Sequence, residues 1–523
     1  MKSLKGEERE FPQISMATGS VTAPSSLTER LGQFPRLFLI ASVAEIILIA
    51  AIRAWYCWGS DAWVNHPGGV LIAMAADLKN GVFYRPLYGP EGYGGTRYFP
   101  LYFVLHALLM KLGVSVLLGA YLLSAAAVVA LLAGVFYLLR GLGVEPWLAA
   151  CSAGALLAAG CAQYSLVSPH ADGLASALNV WGLAVSVRQK LSHRKILLAS
   201  ILFTLAWSAK ITTVFGFAAT FVWLVSTGFP AVAWELAAET CCGYLLVGAA
   251  LFLGSQGRIL EIFKACASGG TNLMGFASGP LSMLLIAARL DPGALLFVLL
   301  ALAGLVSVVL SGKLLQNLPA LLLIATLAVT AIIYGSPGIN ENHLLDLQVA
   351  SVVLIATQLA YAVSPFFKQA GICVLALAIF VAALPLLRKL KNGDRRFHPQ
   401  RFEKVMAIIG DTHKPILSEN PVIPVLAGQQ PYVLDPWMLR LLRTRIPDFG
   451  EPILDGLRNQ TFGAVVLCMA DPKTDFGKWW YEMAHFGPGF ASALNQNYRL
   501  VATIDDQRVY LPITGISRQG ESK

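Results

Sequence analysis

Residues 37–63 read LFLIASVAEIILIAAIRAWYCWGSDAW. The apolar run over 37–57 is long enough to cross a lipid bilayer as a helix, which requires about 20 largely apolar residues. It is followed directly by Trp58-Gly-Ser-Asp-Ala-Trp63, in which Asp61 lies between two tryptophans, a residue type that favours the membrane interface. Asp61 is therefore either an interfacial acid between two anchoring rings or a functional carboxylate at a membrane surface.

The rest of the chain has the same apolar character. It is 56% hydrophobic and 13% charged, with a mean hydropathy of +0.63, whereas a soluble domain is about 25% charged. This composition excludes a cytosolic globular enzyme, a disordered chain and a nucleic-acid-binding protein. We expect a polytopic α-helical membrane protein with about eleven transmembrane helices, of which 195–209 and 211–228 are two spans or one broken unit. The predicted spans are 37–57, 115–139, 147–167, 172–188, 195–209, 211–228, 232–253, 292–312, 318–334, 344–363 and 370–387.

The last quarter of the chain has a different composition. Residues 388–523 carry 32 charged side chains, whereas the 387 residues before them carry 37. This shift divides the chain into an N-terminal tail, a transmembrane domain and a soluble-type domain, over 1–36, 37–387 and 388–523. Short β-type runs predict that the last domain is a small α/β fold. They cover 415–419, 462–468, 498–504 and 508–512, and a helix is predicted over 433–445.

Basic loops predict the orientation, because cytoplasmic loops of membrane proteins carry an excess of Lys and Arg. The loop over 188–195 contains four of them and no acid, so we expect it in the cytoplasm. Counting spans from it places the N-terminus in the cytoplasm, and the loop over 58–114, residues 254–291 and the C-terminal domain outside. The basic cluster over 388–396 would then be external, which conflicts with this rule. We give it less weight than the loop over 188–195, because it begins a domain that is translocated as a whole.

The external loop over 58–114 contains two predicted helices. One follows His66-Pro-Gly-Gly69 and is stopped by Gly81, and the other follows Tyr98-Phe-Pro and ends near Gly113. The segment between them is rich in Tyr, Gly and Pro. Because aromatic residues favour the interface, we expect both helices to lie along the outer membrane surface.

Further polar residues interrupt apolar runs on the same predicted face. Asp172, in Ser168-Pro-His-Ala-Asp172, is explained as a helix cap or as a functional acid. Lys210 separates two apolar runs, with snorkelling to the interface as the alternative. The island Asn340-Glu-Asn-His-Leu-Leu-Asp346 is a polar loop, although Asp346 already falls within the next helix. His170 is either a structural histidine or a ligand.

Together these acids and cations are predicted to gather at one membrane face. A carboxylate acts as a general base on a hydroxyl within hydrogen-bond reach, and cations hold a phosphate and stabilise it as it leaves. This combination favours transfer from a lipid phosphate to a hydroxyl.

The order of these segments resembles that of bacterial GT-C glycosyltransferases, of the kind that uses a polyprenyl-phosphate sugar and is related to protein mannosyltransferases and the aminoarabinose transferase of lipid A. The resemblance covers about residues 37–440. It is carried by Asp61, Gly81-Val-Phe-Tyr-Arg-Pro86, Tyr98-Phe-Pro-Leu-Tyr-Phe103, Asp172, Lys210-Ile-Thr212, Gly338-Ile-Asn-Glu-Asn-His343, Ser418-Glu-Asn420 and the segment over 427–436.

The resemblance implies a GT-C-like fold, a lipid-linked sugar donor and inversion at the anomeric carbon. By analogy Asp61 would be the general base or would orient the acceptor hydroxyl, and Asp172 would be a second acid that binds acceptor or sugar hydroxyls. His170 lies where many relatives carry an arginine, which weakens the phosphate clamp. The substrate-binding residues implied are Arg97, Tyr98, His170, Lys210, Asn342 and His343.

The resemblance also implies partners and a location: the lipid bilayer of the cytoplasmic membrane, a polyprenyl-phosphate-linked sugar, and a glycan, lipid or protein acceptor. Oligosaccharyltransferase-like members require a divalent metal, but the sequence shows no third acid beside Asp172, so we expect no cofactor and a metal-independent site. The eight cysteines have no zinc-type spacing.

Two other functions remain open at this point. A transporter or flippase would show an internal repeat and charges near the bilayer midplane, and we see neither pattern. A non-catalytic envelope assembly protein would tolerate Asp61→Asn. Within glycosyl transfer, a protein O-mannosyltransferase-like activity is the alternative to glycan or lipid modification.

Overall fold

The computed structural model describes residues 26–187, 192–267, 273–336, 338–392, 400–443 and 450–513. Up to residue 392 the described chain is helical, apart from a two-strand hairpin, β1 Tyr88–Gly89 with β2 Gly92–Tyr93. The helices are α1 Ser26–Ser60, α2 His66–Lys79, α3 Pro100–Lys111, α4 Val116–Gly141, α5 Pro146–Ala155, α6 Gly160–Val167, α7 Ala171–Ser186, α8 His193–Ala209, α9 Phe215–Ser226, α10 Pro230–Gly254, α11 Arg258–Ala267, α12 Leu273–Leu290, α13 Pro292–Leu310, α14 Leu318–Ile333, α15 Leu345–Ala360 and α16 Pro365–Asn392.

The chain is a multi-pass membrane protein. Within the described residues, seven helices are long and apolar enough to cross a membrane, or eight if one bent pair counts as a span. Each span predicted from sequence coincides with a helix or, over 147–167, with the bent pair. α9 and α14 are shorter apolar helices, and their exposed aliphatic side chains are those that a lipid environment would cover.

The bent pair has an identifiable cause. A 3₁₀ turn over Leu156–Ala158 joins α5 to α6, and the chain bends by 79° there. The bend frees the first N–H groups of α6, and the buried carboxylate of Asp291 accepts hydrogen bonds from Gly160 N at 2.9 Å and Cys161 N at 2.6 Å. The same carboxylate caps α13 through Ala294 N at 3.0 Å, so one side chain serves two helix termini.

Residues 254–291, which the sequence predicts as an external connector, contain α11 and α12. α12 is long and apolar enough to span by composition. Gly275, Gly279 and Pro280 interrupt the apolar residues of α12, which explains why the sequence predicts a loop over this segment. A Cβ on Gly279 would lie 2.0 Å from Ala331 O, near the end of α14, so the middle of α12 crosses the terminus of that helix.

Contacts between helix ends define two faces of the bundle. At one face Lys389 Nζ, near the end of α16, donates to Leu290 O at the end of α12. At the opposite face Lys368 Nζ, at the start of α16, lies 2.7 Å from Glu145 Oε1. We call the first the site face, because the candidate residues lie on it.

The two predicted helices of the first loop exist as α2 and α3, but α2 does not lie exposed on a surface. Its residues from Gly68 to Ala75 are buried, since α3 packs on it and Pro421 and Asn420 approach Gly69. The C-terminal domain therefore covers α2, which the sequence did not predict. That both helices lie along the outer membrane surface stays a prediction.

The C-terminal region forms the predicted α/β fold. Its sheet has the order β3-β4-β6-β5, with β3 parallel to β4 and the other pairs antiparallel. β5 and β6 pair across a turn at Asp505, as the sequence predicts. The elements are α17 Arg401–Ile409, β3 Ile416–Ser418, α18 Val422–Leu426, α19 Pro436–Arg443, α20 Glu451–Arg458, β4 Ala464–Leu467, α21 Asp475–Trp479, α22 Phe490–Asn497, β5 Tyr498–Ile504 and β6 Gln507–Pro512.

This domain is joined to the first loop by backbone pairing and buried polar contacts. Tyr93 N donates to Tyr432 O, and Leu434 N donates to Tyr93 O. Gly92 adopts a φ of +101°, and a Cβ there would lie 2.0 Å from Tyr432 O, so glycine is required. Arg85 binds Asp77 through two hydrogen bonds and also donates to Pro431 O at 2.6 Å.

Candidate active site

Three helix termini meet at the site face. Asp172 lies in the first turn of α7, Asp346 in the first turn of α15, and Lys210 immediately follows α8. Each charge suits its position, because helix N-termini favour anions and C-termini favour cations. The sequence therefore places two acids and one lysine where the helix dipoles stabilise them, and the fold brings the three termini together.

Lys210 bridges the two carboxylates. Its Nζ lies 2.6 Å from Asp172 Oδ1 and 3.6 Å from Asp346 Oδ2, and both acids are buried. Ser176, one turn after Asp172 on the same helix face, donates to Asp346 Oδ1. The alternative that Lys210 merely snorkels is not what the structure shows, since its ammonium is held within the protein.

The 3₁₀ turn over Glu341–Leu344 adds amide and imidazole groups to this cluster. Asn342 Nδ2 donates to Asp172 Oδ2 at 3.0 Å. Because both oxygens of Asp172 face side chains of other elements, Asp172 is not the helix cap that its sequence context also allows. His343 lies within electrostatic range of Asp172 and Lys210, and its buried Nδ1 has no hydrogen-bond partner in the described chain.

A chain of polar contacts links this cluster to the first loop. His170 Nδ1 lies 3.8 Å from Asp172 Oδ2, and its Nε2 is 2.9 Å from the hydroxyl of Tyr164. That hydroxyl in turn accepts from Asn65 Nδ2 at 2.5 Å, and the Asn65 side chain caps α2. His170 is thus held between an acid and a tyrosine.

Asp61 contacts a different set of residues from those around Asp172. Tyr121 donates to Asp61 Oδ1 at 2.7 Å, and Arg401 Nη2 of the C-terminal domain donates to Asp61 O at 2.7 Å. The residue has a φ of +54°, which is uncommon outside glycine. Burial raises the pKa of Asp61, while the Tyr121 hydrogen bond and the charge of Arg401 oppose that rise. No ion pair or hydrogen bond joins Asp61 to Asp172 in the described chain.

Arg97 and Tyr98 lie between the helix cluster and the C-terminal domain. Arg97 lies within electrostatic range of His170, His343 and Asp435. The backbone carbonyl of Tyr98 accepts a hydrogen bond from Tyr84 at 2.9 Å. The structure therefore brings the eight predicted residues into two neighbouring parts, with Asp61 beside Tyr121 and the rest around Asp172 and Arg97.

Sequence reasoning missed the pairing of Lys210 with Asp346. The expectation that no further acid lies near Asp172 is wrong, because the Lys210 ammonium joins Asp346 to it. A signal existed: Asp346 is an acid inside an apolar helix, where a charge requires a partner. Ser176 and Tyr164 carried no such signal, since a hydroxyl in a span is common.

The fold is similar to that of two kinds of membrane enzyme. ArnT from Cupriavidus metallidurans bound to undecaprenyl phosphate matches with a TM-score of 0.55 and 12% identity, over 89% of this chain and 97% of that one. The Archaeoglobus fulgidus oligosaccharyltransferase in the apo form matches with a TM-score of 0.55 and 11% identity, over 89% and 73%. The complex of AglB from the same organism with an inhibitory peptide and a dolichol-phosphate matches with a TM-score of 0.52 and 12% identity, over 91% and 73%.

No protein-family model and no curated protein matches the sequence. The likeness to the solved structures extends along about nine tenths of the chain, and the fold is therefore that of GT-C membrane proteins, as the order of the motifs predicts.

Proposed function

We propose that this protein is a membrane glycosyltransferase that moves a sugar from a polyprenyl-phosphate donor to a hydroxyl acceptor, with inversion. The observation that carries the proposal is the buried Asp172–Lys210–Asp346 cluster at one face of a GT-C fold. Ionisable groups in a membrane domain are costly and mark functional sites. The similar structures that hold undecaprenyl phosphate or a dolichol-phosphate support a lipid phosphate as the donor's carrier.

In the proposed reaction Asp61 removes the proton of the acceptor hydroxyl. Its raised pKa suits a carboxylate that must take up a proton, because a stronger base drives the transfer further. The acceptor oxygen forms a bond to the anomeric carbon as the bond from that carbon to the phosphate oxygen breaks. The polyprenyl phosphate leaves with the electron pair, and the sugar carries oxocarbenium character in the transition state.

The basic residues around Asp172 have different roles in this proposal. Lys210 is engaged by two carboxylates, so we assign it to holding Asp172 ionised and oriented toward sugar or acceptor hydroxyls. We then assign phosphate binding to Arg97 and His343. The buried Nδ1 of His343 has no hydrogen-bond partner in the described chain. Because buried polar atoms are normally hydrogen-bonded, this supports a contact between His343 and a ligand.

We also propose that the transfer needs no divalent metal. A metal between Asp172 and Asp346 would occupy the position of the Lys210 ammonium, which already supplies positive charge there. Transfer by the purified protein should continue in excess EDTA. Loss of activity in EDTA that Mg²⁺ restores would contradict this assignment.

The proposed location is the cytoplasmic membrane, with the N-terminus in the cytoplasm and the C-terminal domain outside. The proposed acceptor is a glycan, a lipid or a protein. The transferred sugar is identified as the one that is missing from the cell envelope when the enzyme is inactive.

The experiment is mass spectrometry of envelope glycans, glycolipids and glycoproteins from a deletion strain complemented with wild type, Asp61→Asn, Asp172→Asn or Asp411→Asn at matched protein level. Asp411 is exposed in the C-terminal domain and serves as the control. We expect one sugar to be absent in the first two variants and present in the control. If both site variants restored the wild-type profile, the proposed catalysis would be wrong.

A further inference from the structure

A second cluster of metal-ligand side chains lies at the other end of α8. His193 is in the first turn of α8, and Glu235 and Glu239 lie one turn apart on α10. His193 Nδ1 lies 2.5 Å from Glu235 Oε1 and 3.5 Å from Glu239 Oε1. One ligand atom from each residue lies within 4.8 Å of the other two.

We propose that His193, Glu235 and Glu239 bind one divalent transition-metal ion of the Zn²⁺ class. Imidazole nitrogen and carboxylate oxygen are common zinc ligands at about 2.0–2.2 Å, so ligand atoms of one tetrahedral site lie about 3.4 Å apart. The His193–Glu239 distance of 3.5 Å agrees with this value. His193 and Glu235 form a hydrogen bond of 2.5 Å, which a bound ion would replace by moving the two ligand atoms about 1 Å farther apart. The spacing of four residues places both carboxylates on one helix face, turned toward α8.

The surrounding residues orient the ligands as a metal site requires. Ser200, buried on α8, donates to Glu239 Oε2 at 3.1 Å. That hydrogen bond occupies one oxygen of the carboxylate and leaves Oε1 directed at His193. Partners of this kind fix the rotamer of a ligating carboxylate and strengthen metal binding.

The charge of the cluster favours a transition metal over Mg²⁺ or Ca²⁺. Two carboxylates and a neutral imidazole carry two negative charges, which a divalent ion balances. Mg²⁺ and Ca²⁺ prefer an all-oxygen shell, whereas imidazole suits zinc and similar metals.

The bound ion would join α8 to α10 at a distance from the proposed catalytic site. α8 has 17 residues, so its two ends are about 25 Å apart at 1.5 Å per residue. Lys210 follows the far end. The ion is therefore a structural clamp on the helix that positions Lys210, and this inference does not depend on the proposed glycosyl transfer.

The test uses the full-length protein purified in detergent and stripped with EDTA. Zn²⁺ is titrated, and bound metal is measured by elemental analysis after gel filtration. We expect one Zn²⁺ per chain and a higher unfolding temperature with Zn²⁺ than without. His193→Ala and Glu239→Gln should abolish both effects. Ser200→Ala should weaken binding by about 10–100-fold, as outer-shell changes do.

His413→Ala is the matched control, because His413 is exposed in the C-terminal domain, and it should bind Zn²⁺ like the wild type. Unfolding temperatures of all variants without metal establish that each one is folded. Absence of stoichiometric Zn²⁺ binding would overturn the proposal. So would binding that His193→Ala and Glu239→Gln leave unchanged, since the ion would then lie elsewhere.

Discussion

At the residue scale, Lys210 determines whether the buried acids of the site face are tolerated. Asp172 and Asp346 are both buried, and removing one partner of a buried ion pair leaves a charge that neither water nor protein compensates. The lysine therefore has a structural effect that precedes any catalytic one, and the two must be measured separately.

Replacing Lys210 by Met should lower the free energy of unfolding by about 3–5 kcal/mol and abolish transfer. Adding Asp346→Asn to Lys210→Met should recover part of the stability, because one of the two stranded charges is removed, but no activity. Thermal unfolding in detergent measures the first effect. Lys313→Met, at an exposed turn, is the control, and equal unfolding temperatures for Lys210→Met and wild type would contradict the buried ion pair.

The raised pKa of Asp61 predicts the acid side of the pH profile. The proposed base must be ionised, so kcat/KM should fall as pH decreases through the pKa of Asp61, at a higher pH than for an ordinary aspartate. The Tyr121 hydrogen bond lowers this pKa, and a hydrogen bond to a charged group contributes about 1.5–3 kcal/mol. Tyr121→Phe should therefore move the acid limb to higher pH.

Tyr137→Phe changes a tyrosine that is about half exposed and should leave the profile in place. An acid limb that Tyr121→Phe does not move would mean that another group controls it.

Individual residues of the site could be predicted from the sequence, but the contacts between them could not. Asp172 and Lys210 stand out because each interrupts an apolar run. Their pairing could not be predicted, because it depends on α7 and α8 ending at the same face beside the start of α15. The contact between Arg401 and Asp61 O was equally hidden, since the two residues are 340 positions apart.

At the element scale, Asp291 stabilises the break between α5 and α6. Its carboxylate accepts three backbone N–H groups, and each buried group left without a partner costs about 1–3 kcal/mol. Asp291→Ala should therefore lower the free energy of unfolding by about 3 kcal/mol or more. Asp291→Asn keeps one acceptor oxygen and should lose less.

Thermal unfolding of Asp291→Ala and Asp291→Asn measures this difference. Asn317 caps α14 through one N–H, so Asn317→Ala is a control that should cost only about 1 kcal/mol. If Asp291→Ala and Asn317→Ala unfolded alike, the shared cap would contribute nothing beyond an ordinary one.

Elements with a strong local pattern were predictable, and elements defined by their surroundings were not. The strands over Tyr498–Ile504 and Gln507–Pro512 agree with the sequence because two short runs rich in β-branched and aromatic residues flank a two-residue turn. The burial of α2 was not predictable, because its apolar residues fit a membrane surface equally well until the C-terminal domain covers them.

At the scale of the whole molecule, the site and the C-terminal domain share one face. Arg401 contacts the backbone after α1, and Asn420 Nδ2 donates to Val64 O at 2.7 Å. The domain therefore lies on the same side of the membrane as the residues proposed to bind the lipid phosphate. If the proposed orientation is correct, both face away from the cytoplasm.

Cysteine labelling of intact cells tests this orientation. Asp411→Cys, exposed in the C-terminal domain, should react with a membrane-impermeant maleimide, because the proposed orientation places that domain outside. Ser311→Cys, exposed in the turn between α13 and α14, should react only after permeabilisation, because α13 begins at the site face and ends at the other. The unmodified chain gives the background from its own cysteines. The reverse pattern would place the site face and the C-terminal domain in the cytoplasm, and the proposed orientation would be wrong.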